Sequence, residues 1–521
     1  MKRSCGPWSC SFGAGASALV LVLGLAHAQG FEGEPDRVAA KAAAVADVPR
    51  NVILLVADGG GADTLRATRL FTGRPLAVDG GEWSPAWTTT YKLRGGDKPR
   101  PGPAGLEQDP AMVYDSAKAW NATPMEGDLK KYPVFFEGYR WLRVTGPDSA
   151  NTMTAMVSGV RTYAGSINVD GNGTPVESAA QVARRAGKRV GVVTSVPWTH
   201  ATAAAGAGAQ HVSRNAYHDL AEQMLASGLV DVLGGAGHPW YDANGARRET
   251  PKFEFIGEAA WKRLEAGEAF GESRLRWNVV ETPDALAAVD PASVALPLLM
   301  QARNGETLQQ ERDALTTGSD ATGSGAKLAA PGEDPLLADA MVLSQMAGKA
   351  LEIVDCDPEG FFLVIEGGAV DWAMHDNHAG RMIEEYIAFD DAVREVDRYL
   401  SAARASGATW ANTLVIVTAD HDHLLLGPDS GKVAFQELTD NGAGKMPGYR
   451  WHSDGHSNRL VPLFARGAGA ARLLSQADEV DAAKIPQDGT ERAVGRGLYM
   501  QQTEIGRTIM ELLAEPARAA P

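Results

Sequence analysis

The chain has 521 residues, 44% hydrophobic and 22% charged, enough to bury an extensive core in one large domain or two to three ordinary ones. That composition excludes a disordered chain, and a formal net charge of -16 argues against a nucleic-acid-binding surface and against attraction to anionic lipid. An acidic protein can still bind phosphate where metal ions invert the local field.

In chain order, Lys2 and Arg3, an apolar stretch at 18–25 and Ala26-His27-Ala28 predict a signal peptide over 1–28. Its apolar run is too short to span a bilayer, so the expectation is a periplasmic or secreted protein with no membrane span when mature. Cys5 and Cys10 would leave with the peptide, and Cys356 alone cannot form an intramolecular disulfide. A lead-in follows over 29–49. Residues 51–57 form a continuous apolar run that ends at Asp58 and three glycines, a buried-strand signal with a carboxylate at its tip. Residues 94–108 are rich in Gly and Pro and predict an exposed loop. Trp83, Trp87, Trp120 and Trp141 punctuate the segment around it, as for a lid or a partner surface.

Asp148-Ser149 precedes apolar and small residues at helical spacing, so Ser149 stands at a helix start as either an N-cap or a nucleophile facing an anion. A helix over 176–186 and a strand over 189–194 come next, then His200, Thr202 and Arg214. Another strand and turn is predicted at 230–235. Residues 258–325 carry helix-like pieces and a Thr/Gly/Ser-rich loop without an interpretable motif. A helix over 341–354 leads into the apolar run 361–365, which ends at Glu366 and two glycines. Asp371 and His375, four apart, share one face of a helix. A long helix over 382–405 separates this stretch from the strand 413–419, which ends in Asp420-His421-Asp422-His423. His456 lies just before the apolar run 460–465. Alternating strands and helices predict an α/β fold, a mainly parallel sheet covered by helices on both faces. Three of its strand ends would carry Asp58, Glu366 and Asp420.

Together these segments resemble the alkaline phosphatase family. The likeness lies in ordered motifs: NVILLVADGGG at 51–61, DSANTMTAMVSGVRTY at 148–163, THAT at 199–202, SRN at 213–215, EGGAVDWAMH at 366–375, TADH at 418–421 and GHSN at 455–458. It covers roughly 50–515 as a single catalytic domain, with an insertion near 88–147. The resemblance implies an exported phosphomonoesterase with two zinc ions and one magnesium ion per subunit, acting on small phosphate monoesters through a phosphoserine, and a homodimer is compatible with it. Asp371, His375 and His456 would hold the first zinc, and Asp58, Asp420 and His421 the second. Asp58 would also bridge to a magnesium site completed by Thr202 and Glu366. Ser149 would be the nucleophile and Arg214 the phosphate clamp, oriented by Asp148. His423 would steady Asp371, while His200 and Trp372 would flank the third metal and the phosphate pocket. Asp376, His378 and Asp422 are expected in solvated or supporting roles. Phosphodiesterases and sulfatases share this kind of scaffold, but the sulfatase Cys- or Ser-x-Pro-x-Arg motif is not what surrounds Ser149. A non-catalytic phosphate-binding protein would leave the nucleophile and the metal-type side chains without a use.

Overall fold

The computed structural model describes residues 48–312, 328–403, 406–487 and 489–515; the signal-peptide and lead-in expectations lie outside them, apart from residues 48 and 49. Among the described residues the main sheet has eleven strands. At its centre Thr413–Ala419, Asn51–Ala57, Phe361–Gly367 and Arg189–Pro197 run parallel and side by side. Three of these carry the continuous apolar runs, and the fourth, Arg189–Pro197, is buried from Val190 onward, as strands covered on both faces require. Parallel strands Val232–Ala236, Leu298–Gln301 and Asn278–Val280 extend one flank. Antiparallel pairs appear only on the other, beginning with Val461–Gly467.

The period of two along Asn51–Ala57 divides the interior. Val52, Leu54 and Val56 join one core with the helices Ser149–Ser158 and Gln502–Ala514; Ile53, Leu55 and Ala57 join another with Leu343–Val354 and Ala379–Ser401. Each of these strand residues is 1% exposed or less, and truncating Leu54 to Ala would cost about 2–5 kcal/mol.

Register places the chemistry. Ala57 pairs with Ala419 on one side and Gly367 on the other, and Val56 pairs with Glu366. Asp58 and Asp420 therefore leave neighbouring strands at the same level, beside Glu366.

Several expectations need correction. Trp83 and Trp120 are buried, and Trp87 and Trp141 pack against a small third core that includes Trp120, Tyr139, Leu426 and Phe435. Trp83 fills the second core, and the other three fill the third, which covers the apolar faces of the 88–147 segment. The predicted loop 94–108 is mostly exposed, but Arg94 at its start is buried and donates to the carbonyls of Lys98, Gly105 and Gly171, pinning the loop down. The chain also continues after His421 as a strand, Asp422–Leu426, paired with Arg450–Ser457, so His456 is a strand residue rather than part of a lead-in to the next one.

Candidate active site

Ser149 is the first residue of a ten-residue helix, and Asp148 takes the capping role by accepting from Asn151 N at 3.1 Å. With the cap supplied by its neighbour, Ser149 Oγ is free to face the strand ends. It lies 3.2 Å from His421 Nε2 and 3.4 Å from Asp58 Oδ1. His421 Nε2 is in turn 3.3 Å from Asp58 Oδ1 and 3.1 Å from Asp420 Oδ2. A serine beside a histidine and an aspartate suggests a hydrolase triad, but a triad needs its carboxylate on the imidazole's far nitrogen. Here both carboxylates face the same nitrogen as the serine, and His421 Nδ1 has no partner. Nitrogen and oxygen donors converging on one point suit a cation. Burial and nearby His456 hold the His421 pKa well below its ordinary value, so its lone pair is available for coordination.

The second group sits at the cleft mouth. Asp371 and His375 project from the helix Ala369–His375, with His375 Nε2 3.2 Å from Asp371 Oδ2. His456 Nε2 stands 3.3 Å from Asp371 Oδ1 and 3.1 Å from His375 Nε2. Both imidazoles are oriented from behind by carbonyls, His375 Nδ1 by Asp454 at 2.6 Å and His456 Nδ1 by Pro147 at 2.8 Å. This leaves each Nε2 to face the group's centre. His423 pairs in register with His456 and places Nε2 2.6 Å from Asp371 Oδ1, close enough for all four side chains to share one ion.

A third set lies deeper. Asp58, Thr202 and Glu366 are fully buried, and Asp58 Oδ2, Thr202 Oγ1 and both Glu366 oxygens have no hydrogen-bond partner. The Thr202 hydroxyl faces Glu366 without closing a bond. Buried polar atoms left this way are costly, and an all-oxygen set of this kind fits magnesium.

The electrostatics separate these groups. Burial, then Asp420, Asp371 and Glu366, push Asp58 well above the carboxylate range, and burial brings Glu366 up to about 7. Asp371 behaves oppositely: burial raises it, but His375, His423 and His456 hold it well below that range. Desolvation lowers His375, yet Asp371 carries it up to about 9.

Arg214 bridges the cleft wall. Its Nη1 lies 3.1 Å from Asp148 Oδ2 and its Nη2 3.3 Å from His200 Nε2. Burial, then Arg214, lower His200 to about 3, so it stays a neutral acceptor. Trp372 meets His200 edge to face at 5.4 Å. The structure thus gathers all the predicted site residues around one cavity of about 400 Å³ that reaches Ser149, or beneath it. Tyr217, Asn215, Glu311 and Asp376 also line it. Asn215 follows Arg214 directly within the SRN motif, whereas Tyr217 stands three residues beyond Arg214. Glu311 lies in a stretch with no motif, and no local signal marks it. Of the supporting residues, Asp422 is buried and accepts from Ser457 at 2.6 Å, and His378 caps the following helix. A separate groove of about 310 Å³ beside Leu286 and Lys349 has no histidine among its lining residues.

The family model described as alkaline phosphatase matches residues 107–442, more than half of the chain, leaving Asp58 and His456 outside the matched span. Alkaline phosphatase H of Pseudomonas aeruginosa is 29% identical over 385 residues, 70% of this chain and 77% of that protein. The solved alkaline phosphatase of the Antarctic bacterium TAB5 has a similar fold, with a TM-score of 0.54 at 20% identity over 90% of this chain and 98% of that one. A mutant of that enzyme, solved with Mg bound in its M3 site, gives 0.53 at 19% over the same shares.

Proposed function

The chain belongs to the alkaline phosphatase family, and from that premise we propose that it hydrolyses phosphate monoesters through Ser149, with zinc at the two nitrogen-containing groups and magnesium at the buried oxygen set. The observation that carries this reading is the convergence of Ser149 Oγ, His421 Nε2, Asp58 and Asp420 on one buried point. When bound, zinc would supply the Lewis acidity that favours serine and water as nucleophiles and stabilises a leaving oxygen.

The chain's own residues do the rest. Arg214 presents a planar fork that matches two non-bridging phosphate oxygens, with Asp148 fixing its plane. The helix starting at Ser149 turns its partial positive end toward the phosphate. Ser149 Oγ bonds to phosphorus, the ester oxygen leaves as the alcohol after taking a proton, and a phosphoserine remains. Water then attacks that phosphorus, releasing inorganic phosphate and returning the serine hydroxyl. Asp-Ser-Ala-Asn-Thr around Ser149 favours this route over the sulfatase alternative. We also assign export to the periplasm or medium; among the described residues no helix is long and apolar enough to cross a membrane. A homodimer stays part of the family reading.

Hydrolysis of an aryl phosphate should require zinc and magnesium, cease on chelation, and leave an acid-stable phosphate on Ser149 when quenched at low pH. Ser149→Ala should abolish that label and lower the rate by on the order of 10³-fold or more, with zinc content retained. A label on another residue, or full activity in metal-free protein, would refute the proposal.

A further inference from the structure

The 88–147 segment reaches the first ligand group from behind. Asp128–Leu129 and Tyr132–Pro133 pair as a short antiparallel hairpin, turning through Lys130 at φ 54°. Tyr132 is buried, and its hydroxyl donates to Asn377 Oδ1. Asn377 is fully buried just beyond the helix Ala369–His375 and holds φ 55°, a left-handed conformation that asparagine tolerates. Its Nδ2 donates to Met374 O and to Ser453 O, each at 3.0 Å. One amide thereby ties the end of the helix bearing Asp371 and His375 to the strand Arg450–Ser457, whose Asp454 carbonyl orients His375.

An amide side chain has two donor hydrogens and one acceptor oxygen. Both hydrogens go to carbonyls, which sets the orientation of the amide, and the Tyr132 hydroxyl satisfies the oxygen that remains. Burial, then Asp454, raise the phenol above its ordinary value, so it remains a donor in alkaline solution. Lys131 adds an ion pair to Asp454 at 2.9 Å on the exposed rim, a weaker contribution in water.

We propose that Tyr132 is a positioning residue for His375, acting through the Asn377 amide and the Asp454 carbonyl to hold the imidazole in its metal-ready orientation. The inference rests on the reading of Asp371, His375 and His456 as zinc ligands. Removing the hydroxyl leaves Asn377 Oδ1 buried without a partner. That unpaired oxygen is costly, and the amide relieves it by shifting, which loosens its hold on Ser453 and with it the Asp454 carbonyl that orients His375. Outer partners of this kind typically tune metal affinity by about 10–100-fold.

The test measures zinc affinity by chelator competition in wild type, Tyr132→Phe and Asn377→Gly, and records the visible spectrum of each protein loaded with cobalt(II). Tyr132→Phe keeps the buried ring, and Asn377→Gly keeps the left-handed turn, so two independent routes probe the same contact. In both, the weaker of two zinc-binding steps or the one assigned to the His375 group by loss in His375→Gln should fall about 10–100-fold. The step assigned to Asp58, Asp420 and His421 should stay within about twofold, and the cobalt spectrum should change. A general loss of structure would move both steps together, which would overturn the inference. So would wild-type affinity at both steps in both variants. A wild type that binds no zinc would instead overturn the metal reading itself, and the inference with it.

Discussion

The two ends of the cleft solve the same electrostatic problem differently. At the mouth, Asp371 is surrounded by His375, His423 and His456, and these cationic or polar neighbours stabilise its charge without any ion. At the buried end, Asp58, Asp420 and Glu366 face one another with no lysine or arginine paired to them among the described residues, and all three are raised from their ordinary carboxylate values, chiefly by burial. The mouth can be charge-balanced by protein alone, whereas the deep end is balanced only when cations enter. The difference teaches where metal binding is coupled most strongly to folding.

Breaking that contrast should have its largest effect on the metal-free protein. A cation at about a thousand times its Kd stabilises by about 4 kcal/mol, so chelation should lower the thermal midpoint substantially. In chelated protein at pH 8, Glu366→Gln should then raise the midpoint, and His375→Gln should lower it. Glu366 stands at about 7 against 4.5, which at about 1.4 kcal/mol per unit is a penalty on the order of 3–4 kcal/mol. Because a raised carboxylate pKa disfavours the folded state, that penalty is full above pH 7 and absent below about 4.5. Calorimetry across that range checks both the sign and the window; equal shifts in the two variants would erase the contrast.

Arg214 is the cation the chain itself places between the two ends. Arg214→Ala should weaken inhibition by inorganic phosphate by roughly 10–100-fold, the loss expected for a charge-assisted hydrogen bond of about 1.5–3 kcal/mol. Labelling of Ser149 should remain detectable. An unchanged inhibition constant would show that phosphate is held elsewhere.

The smallest effect is expected at a buried histidine that belongs to neither ligand group. His452 is buried, hydrogen-bonded to Ser430 at 2.7 Å, and lowered by burial to about 3. Its neutral form belongs to the fold, so stability falls as pH drops from about 6.5 towards 3, by at most about 1.4 kcal/mol per pH unit. His452→Gln, which retains a donor for Ser430, should flatten the acid limb of a stability–pH curve by up to one proton. An unchanged slope would assign acid sensitivity to the cleft alone.

Much of this arrangement was readable before the coordinates. The runs ending at Asp58, Glu366 and Asp420 are legible because strands covered on both faces must be apolar throughout, and Asp371 with His375 is legible because four residues make one helical turn. Strand order and register were not, since no local pattern records which strand is the neighbour. The strand carrying His456 escaped notice because Arg450–Ser457 is polar and half-buried in places, lacking both the alternating and the continuous apolar signatures. Tyr132 was invisible for a related reason: its hairpin has two-residue strands, and its importance lies in a contact with Asn377 245 positions away. Glu311 faces the cavity only because of a tertiary arrangement with no sequence spacing of its own.

The proposed role of the deep carboxylate end is to bring positive charge against a phosphate monoester, whose extra negative charge relative to a diester must be met in a low-dielectric pocket. The most direct measurement is kcat/KM for matched aryl mono- and diesters in wild type and Glu366→Ala, with zinc occupancy verified in both. The substitution should reduce monoester hydrolysis by a larger factor than diester hydrolysis. An equal fractional loss on the two substrates would contradict it.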